Sequence, residues 1–466
     1  MVERRPLRSR LARALLAAAL LGAGGIAVVQ ATAGTSSLAA WTSWGNSPAR
    51  TADAAAEPSI LTRAFVLPLG GRITNQVLAA NGAYFVGTST GAVVSFTPAG
   101  VVRWKVQLGQ LASRCAQLDG YGMTGTGVID PASRTLYVMD AFGRLHALSL
   151  ATGAEEPGWP VQVYTDFRKE LDWGALTLVD GSVYVPTASY CDTAGTPGAV
   201  YKIDTASRTA TQWLSVPLAS GGGGGPWGWG GVAYDAALNT LFTVTSGAFD
   251  GGTNTGDAYS EFVGYGDQLV QLDPDLTVAS ADHPPDIPDR MDLDYVGSPV
   301  IFTRPGCGQL VAATDKDDTV YLWHANAIAS GPVAEVHLQA YNAADPMLAQ
   351  LAWSPALDSL YTATGTQLVR IAVAVNCSAA VGWSDPLGTQ TENGSPTISG
   401  NTVWITVNGK PVLDGFDAAT GKRLVQDPLG GTTLTAPTIV GKQLVIGTFT
   451  GLVEGFGLSS KGASPQ

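Results

Sequence analysis

The sequence predicts an all-β protein folded as a single β-propeller of eight four-stranded blades, with seven as the alternative count. Three observations carry that expectation. The first is a recurring unit of apolar strand, turn and second strand. Copies read NGAYFVGTSTGAVVSF at 81–96, TLYVMDAFGRLHAL at 135–148, and GSVYVPT with GAVYKID within 181–204. Later copies are TLFTVTSG with QLVQLD (240–272), QLVAATDKDDTVYLW (309–323), SLYTATGTQLVRI (359–371), TVWITVNGKPVLDGFD (402–417) and QLVIGTFTGLVEGF (443–456). The second is the rhythm within each copy, where apolar residues alternate and a Gly or polar turn follows, the period of half-buried strands paired as hairpins. Repeat starts near 73, 120, 171, 226, 294, 347, 391 and 432 space the copies as propeller blades are spaced. The third is composition: charged residues are 14 %, 57 of 466 residues are Gly, and helical periodicity is scarce.

The last copy, 432–458, supplies about three strands where a blade needs about four. A strand-like stretch at 59–68, SILTRAFVLP, precedes the first copy and provides the fourth. Joining the chain ends in one blade removes the free sheet edges that otherwise invite aggregation. The propeller is therefore expected over 59–458, with 459–466 as a disordered tail.

The chain begins with a basic stretch holding Arg4, Arg5, Arg8 and Arg10, followed by an almost uncharged, Ala- and Leu-rich run over 11–33. This is the layout of a secretory signal peptide over 1–33, with a retained single-span anchor as the alternative. Residues 34–58, rich in Ser, Ala, Thr and Pro, read as a flexible linker. The expected protein is secreted or otherwise extracytoplasmic and monomeric, with no membrane span once processed. A net charge of −12 excludes nucleic acid as a partner, because no basic stripe exists to displace phosphate counterions.

Four cysteines are present: Cys115, Cys191, Cys307 and Cys377. None has metal-site spacing, and in an oxidising compartment an even count favours disulfides. Of the three connectivities, Cys115–Cys191 and Cys307–Cys377 join neighbouring or near-neighbouring blades and are preferred over buried free thiols. His146, His283, His324 and His337 are scattered without zinc spacing, and there is no G-x-S-x-G elbow or phosphate loop.

With these repeats in hand, the chain resembles the quinoprotein dehydrogenase-like, PQQ-binding-like propellers over about residues 41–458. The general part is the repeated strand pattern, the Asp-Ala-Ala-Thr-Gly turn at 417–421, and Trp104, Trp213 and Trp383 near blade ends. In the family such tryptophans pack between blades. The specific part begins at 225–235, GPWGWGGVAYD, followed by LFTVTSG at 241–247, which is similar to the stretch W-G-W, Y-D-P, T-G-N. There a tryptophan floors the planar quinone and the Asn binds calcium. The segment DLDYVGSP at 292–299 resembles the one carrying the catalytic Asp base, and TDKDDTVY at 314–321 resembles D-K-x-G-x-x-Y, whose Lys binds the quinone oxygens. The resemblance thus implies Asp294 as base and Trp227, Trp229 and Lys316 as cofactor-binding residues. The chemistry needs that set: a base takes the alcohol proton while a cation polarises the quinone carbonyl.

The sequence departs from the pattern in three places. Gly247 stands where the calcium-binding Asn is expected, the liganding Glu position falls near Asp192 and Thr193, and no adjacent Cys pair exists to cap a quinone. Calcium needs six or more oxygens, so no metal site is expected. The plainer reading makes Trp227 and Trp229 packing aromatics beside the glycines at 221–225, Lys316 a solvated turn lysine, and Asp292 and Asp294 part of an acidic loop. The sequence therefore favours an exported non-catalytic propeller, a binding scaffold for a protein or small-molecule ligand with no cofactor. The alternative is a PQQ-dependent dehydrogenase of alcohols or sugars, with calcium.

Overall fold

Each recurring unit builds an antiparallel four-stranded blade, the last completed by a strand from before the first unit, and eight such blades stand around one axis. The third blade carries an extra strand, Glu170–Asp172, and the seventh an extra parallel one, Asp53–Ala54. The computed structural model describes residues 40–54, 60–112, 120–189, 195–248, 263–283, 294–339, 349–388 and 392–459. The expected signal segment, Cys115, Cys191, Asp192, Thr193, Asp292 and all but the first residue of the expected tail lie outside the described residues. Ser459 itself ends the last strand.

The innermost strands of blades 1 to 8 are, in chain order, Leu78–Ala80, Val128–Asp130, Thr177–Val179, Ala233–Asp235, Val300–Arg304, Ala352–Ser354, Thr397–Ser399 and Thr438–Val440. An innermost strand is a sheet edge, yet those of blades 1, 6, 7 and 8 are buried throughout. Outermost strands such as Ala379–Pro386 alternate between half-buried and exposed. The core lies in layers between adjacent blades. Phe85 and Val93 of blade 1, for instance, share one cluster with Leu136 and Leu148 of blade 2 and with Val445 and Phe456 of blade 8.

The tryptophans near blade ends bridge blades, as the resemblance implies. Trp104 Nε1 donates to the Leu150 carbonyl of blade 2 at 3.1 Å, and Trp383 Nε1 to the Ala418 carbonyl of blade 7 at 3.0 Å. Trp213 lies against Tyr265 of blade 4, ring centroids 5.8 Å apart. The turn at 417–421 explains its own sequence. Asp417 Oδ1 accepts from the amides of Ala419 and Thr420 and from the Thr420 hydroxyl, and Gly421, at φ 76°, leaves room for the Trp383 ring, which a Cβ would meet at 2.8 Å. A device the sequence reading missed links the inner strands. Thr177, Thr397 and Thr438 each donate their hydroxyl to a carbonyl of the next blade: Val232, Pro437 and Val77.

The ring closes where the sequence expects. Ile60–Pro68 is the outermost strand of blade 8 and runs antiparallel to Leu452–Ser459, from Ile60 opposite Ser459 to Pro68 opposite Leu452. Arg63 on this strand pairs with Glu454, whose carboxylate is fully buried, at 2.5 Å, and with Asp427 of blade 7 at 2.9 Å. Phe65 meets Phe96 of blade 1 edge to face at 6.0 Å. One strand therefore ties together blades 7, 8 and 1.

The linker expected over 34–58 does not describe residues 40–54, which fill the centre of the ring. Trp41 pairs antiparallel with Ala79, and Asp53 and Ala54 pair in parallel with Ile398 and Ser399. In between, the carbonyls of Thr42, Pro48, Ala49, Thr51 and Ala52 accept from the amides of Ile129, Tyr234, Ile301, Trp353 and Ile398, one inner strand each. Trp41, Trp44 and Arg50 are at most 2 % exposed. The residues look like a linker because the ring, not their own periodicity, buries them.

Cys307 and Cys377 form a disulfide between turns of blades 5 and 6, with Cα atoms 5.4 Å apart. Replacing both by Ser is expected to cost roughly 2–4 kcal/mol, read from denaturant midpoints at constant m; unchanged midpoints would show that the bond contributes nothing. Removing residues 1–70 strips blade 8 of its outer strand, leaves Leu452–Ser459 as an open edge, and takes residues 40–54 out of the centre of the ring. Loss of the monomer peak to aggregates in size-exclusion chromatography with light scattering is the expected result, and a monodisperse protein of unchanged stability would contradict it.

Candidate functional site

Three residues singled out from sequence meet where blades 4 and 5 adjoin. Asp294 lies just before the innermost strand of blade 5, and Lys316 lies in the turn between Gly308–Thr314 and Thr319–His324. The Lys316 amide donates to the Asp294 carbonyl at 3.1 Å. Its Nζ sits 3.4 Å from Asp294 Oδ2, which also accepts from Trp227 Nε1 at 3.1 Å. The ammonium further lies over the Trp227 indole, 5.1 Å from the ring centroid, a cation–π contact.

Local structure fixes this geometry. In the Lys316 turn, Asp315 Oδ1 accepts from the Asp317 amide, Asp317 Oδ1 from the Thr319 amide, and Asp317 Oδ2 from the Tyr321 hydroxyl. Asp318 completes the reversal at φ 65°. On the blade 4 side, the Ser298 hydroxyl donates to the Gly228 carbonyl, while Gln350 of blade 6 accepts from the Ser298 amide and donates to the Val296 carbonyl. The plain reading of Lys316 as solvated does not hold, since it is 9 % exposed and ion-paired. Asp294 lies in the connection between blades 4 and 5 and is 8 % exposed.

Trp229 enters a different cluster. It is 6 % exposed, its ring lies 5.3 Å from that of Trp173 at 39°, and it packs with Trp44, Ala175, Leu434 and Ala436. Blades 4 and 8 stand on opposite sides of the ring, so Trp44 bridges the axis between Trp229 and Leu434. Sequence reasoning missed Trp173 and Trp44. The signal in the chain was the pair Trp41 and Trp44 inside a supposed linker, where large aromatics are costly to leave in water.

The glycines at 221–225 are structural. Gly221 to Gly224 all have positive φ, and a Cβ on Gly225 would stand 2.4 Å from that of Ala188. Gly224 donates to the Gly247 carbonyl at 2.9 Å and Gly225 accepts from the Ser246 amide at 3.1 Å. The run thus threads between the hairpins of blades 3 and 4.

Among the described residues the ligand set of a calcium-bound quinone is incomplete. At the expected ligand position Gly247 has no side chain, and its carbonyl already accepts from Gly224. Asp294 is held by Lys316 and Trp227, and among the described residues no group of three or more His, Cys, Asp or Glu could hold a metal. The Lys316 ammonium lies over the Trp227 ring, and the Trp229 ring lies against that of Trp173.

Two fully buried carboxyls flank these residues. Asp315 precedes Lys316, and Asp172 precedes Trp173; Asp315 Oδ2 and Asp172 Oδ1 have no hydrogen-bond partner among the described residues. Burial raises both pKa values well above the usual carboxylate range, with the Asp317 and Asp294 charges adding to the effect at Asp315. The fold therefore holds protons that the unfolded chain, at about 3.9, has released. This contribution to stability is full below the unfolded value and is lost as pH rises through the folded one. The expected outcome is a thermal midpoint that declines as pH rises above about 4. Asp172→Asn and Asp315→Asn should each raise the midpoint at the upper end and flatten the decline; Asn variants that are less stable there would contradict neutral carboxyls.

The fold and these contacts define a quinoprotein-like eight-bladed propeller. No family model matches the chain, and no curated protein matches it. Solved structures do. The quinohemoprotein alcohol dehydrogenase of Comamonas testosteroni superposes with a TM-score of 0.69 at 16 % identity, over 92 % of this chain and 82 % of the enzyme. A europium-containing methanol dehydrogenase gives 0.70 at 14 % identity, over 90 % and 98 %. BamB from Moraxella catarrhalis gives 0.58 at 14 % identity, over 86 % and 100 %. At such identities the likeness concerns the fold alone.

Proposed function

We propose that this chain is an exported, non-catalytic β-propeller that binds a protein or small-molecule ligand through the face carrying Asp294. The observation that carries the reading is the state of the quinone-site counterparts: Trp227, Asp294 and Lys316 satisfy one another, and the Trp229 ring packs on Trp173. The connections support the choice of face. Residues 245–268 and 283–299 separate strands of blades 4 and 5 on the side where Asp294 lies, whereas the turns at the other end of the inner strands are as short as 81–82, 400–401 and 441–442. Long connections on a rigid ring are where propellers vary their binding surfaces. Among the described residues no helix is long and apolar enough to cross a membrane, which suits an exported domain.

The second reading is a PQQ-dependent dehydrogenase of alcohols or sugars. It is favoured by the meeting of Trp227, Asp294 and Lys316 on a fold shared with two dehydrogenases. Asp294 would take the alcohol proton and Lys316 would stabilise developing negative charge. Reconstitution with PQQ and calcium, followed by reduction of an artificial electron acceptor, separates the two readings. No alcohol or sugar oxidation is expected. Robust turnover lost in both Asp294→Asn and Lys316→Ala would replace the scaffold with the enzyme.

A further inference from the structure

The centre of the ring holds a buried cation. Arg50 is 1 % exposed, and among the described residues no carboxylate pairs with it. Its guanidinium donates from Nη1 to the Trp44 carbonyl at 3.1 Å. From Nη2 it donates to the Leu176 carbonyl at 3.1 Å, the Val232 carbonyl at 3.0 Å and the Thr177 hydroxyl at 2.5 Å. Leu176 and Thr177 belong to blade 3 and Val232 to blade 4, so four oxygens from three separate segments converge on one planar group. Carbonyl oxygens are the acceptors that a fork of fixed N–H donors reads, and an ammonium with rotating donors cannot span them in one plane.

The rest of the segment is shaped as an inserted loop. Trp41 runs antiparallel to Leu78–Ala80 while Asp53 and Ala54 run parallel to Thr397–Ser399, so the chain enters and leaves at the same end of the ring. That end bears the turns at 81–82 and 400–401, away from Asp294. The apex at Trp44–Asn46 is held from outside by Gln76, whose Oε1 accepts from the Gly45 amide and whose Nε2 donates to the Ala436 and Pro437 carbonyls. Internally the Ala52 amide donates to the Gly45 carbonyl and Asn46 Nδ2 to the Asp53 carbonyl. The loop is braced by its own hydrogen bonds, and strand Ile60–Pro68 closes the ring separately on its outer side.

We propose that the channel is a peptide-binding site occupied by the chain's own residues 40–54, that the Arg50 guanidinium is the recognised group, and that the seat accepts a free guanidinium-type cation once that side chain is removed. Burial lowers the Arg50 pKa to about 9, which leaves the group charged at neutral pH and makes the oxygen cage, not a salt bridge, its source of stability. The inserted loop also closes the axis, so that Trp44 forms the underside of the cluster holding Trp229.

The test uses the full chain carrying Arg50→Ala. A fall in thermal midpoint of at least about 5 °C is expected, with a substantial part restored by millimolar guanidinium or methylguanidinium and none by equal sodium or ammonium. The wild-type midpoint should not respond, because its seat is filled. Arg50→Lys keeps the charge and the stem and serves where the Ala variant fails to fold. In it, hydrogen exchange of the amides in 41–54 should accelerate, together with those of Ala79, Ile301, Trp353 and Ile398 that donate to the segment, while the second and third strands of each blade stay protected. Restoration by sodium or ammonium equal to that by guanidinium, an Ala variant as stable as wild type, or a Lys variant with wild-type protection over 41–54 would each overturn the proposal.

Discussion

Eight sheets in a ring turn eight inner edges toward a common axis, and the backbone groups on those edges must find partners in a space from which water is excluded. Everything else in the molecule depends on how that is met. The amides of Ala79, Ile129, Tyr234, Ile301, Trp353 and Ile398 donate to successive carbonyls of residues 41–52, so one short segment serves six blades. At blades 3 and 4 the polarity reverses: the carbonyls of Leu176 and Val232 need a donor, and Arg50 supplies it. Leaving such groups unpaired would cost about 1–3 kcal/mol each, which is large against the stability of a whole domain. A charged side chain is therefore tolerated at the driest point because its two Nη groups meet carbonyls and a hydroxyl of the surrounding segments, while its Nε has no partner among the described residues.

The parts of the fold legible in the sequence are those whose burial follows their own periodicity. Alternating residues in copies such as 402–417 and 443–456 declare strands, and the lone apolar stretch at 59–68 declares the missing one. Residues 40–54 have no such period, and their Ala, Ser and Pro content copies that of a linker. Their structure is imposed by the channel walls, information spread over six distant segments that no window of the chain contains. The threonine links of Thr177, Thr397 and Thr438 were hidden for the same reason, since a Thr at the start of a strand looks the same whether or not its hydroxyl crosses to the next blade.

The site shows a comparable division. The resemblance implied Trp227, Trp229, Asp294 and Lys316 as one set, and of these Trp227, Asp294 and Lys316 are in contact although 67 residues separate the first two. What the motifs could not show is how the three use one another. Asp294 Oδ2 receives both donors, so any proton it took from a substrate would come to an oxygen already shared with Trp227 and Lys316. A buried pair of this kind costs much to desolvate and repays it only while both partners stay in place. Removing one partner is thus expected to disturb packing as well as any chemistry, which is why loss of activity in a single variant says less than turnover in the intact protein.

The two ends of the axis are consequently unequal. One end is taken up by the entry and exit of residues 40–54, with tight turns such as 81–82 and 400–401 around them. At the other end the same segment reaches only as far as Trp44, above which the aromatic cluster of Trp229, Trp173 and Phe449 begins. Sequence change at the first end must respect the backbone pairing that satisfies the inner edges. At the second, Asp172, Asp294, Asp315 and Lys316 are supported from behind by the blades. A ring corked from one side thereby leaves its opposite face as the one free to acquire a ligand, whichever chemistry that ligand brings.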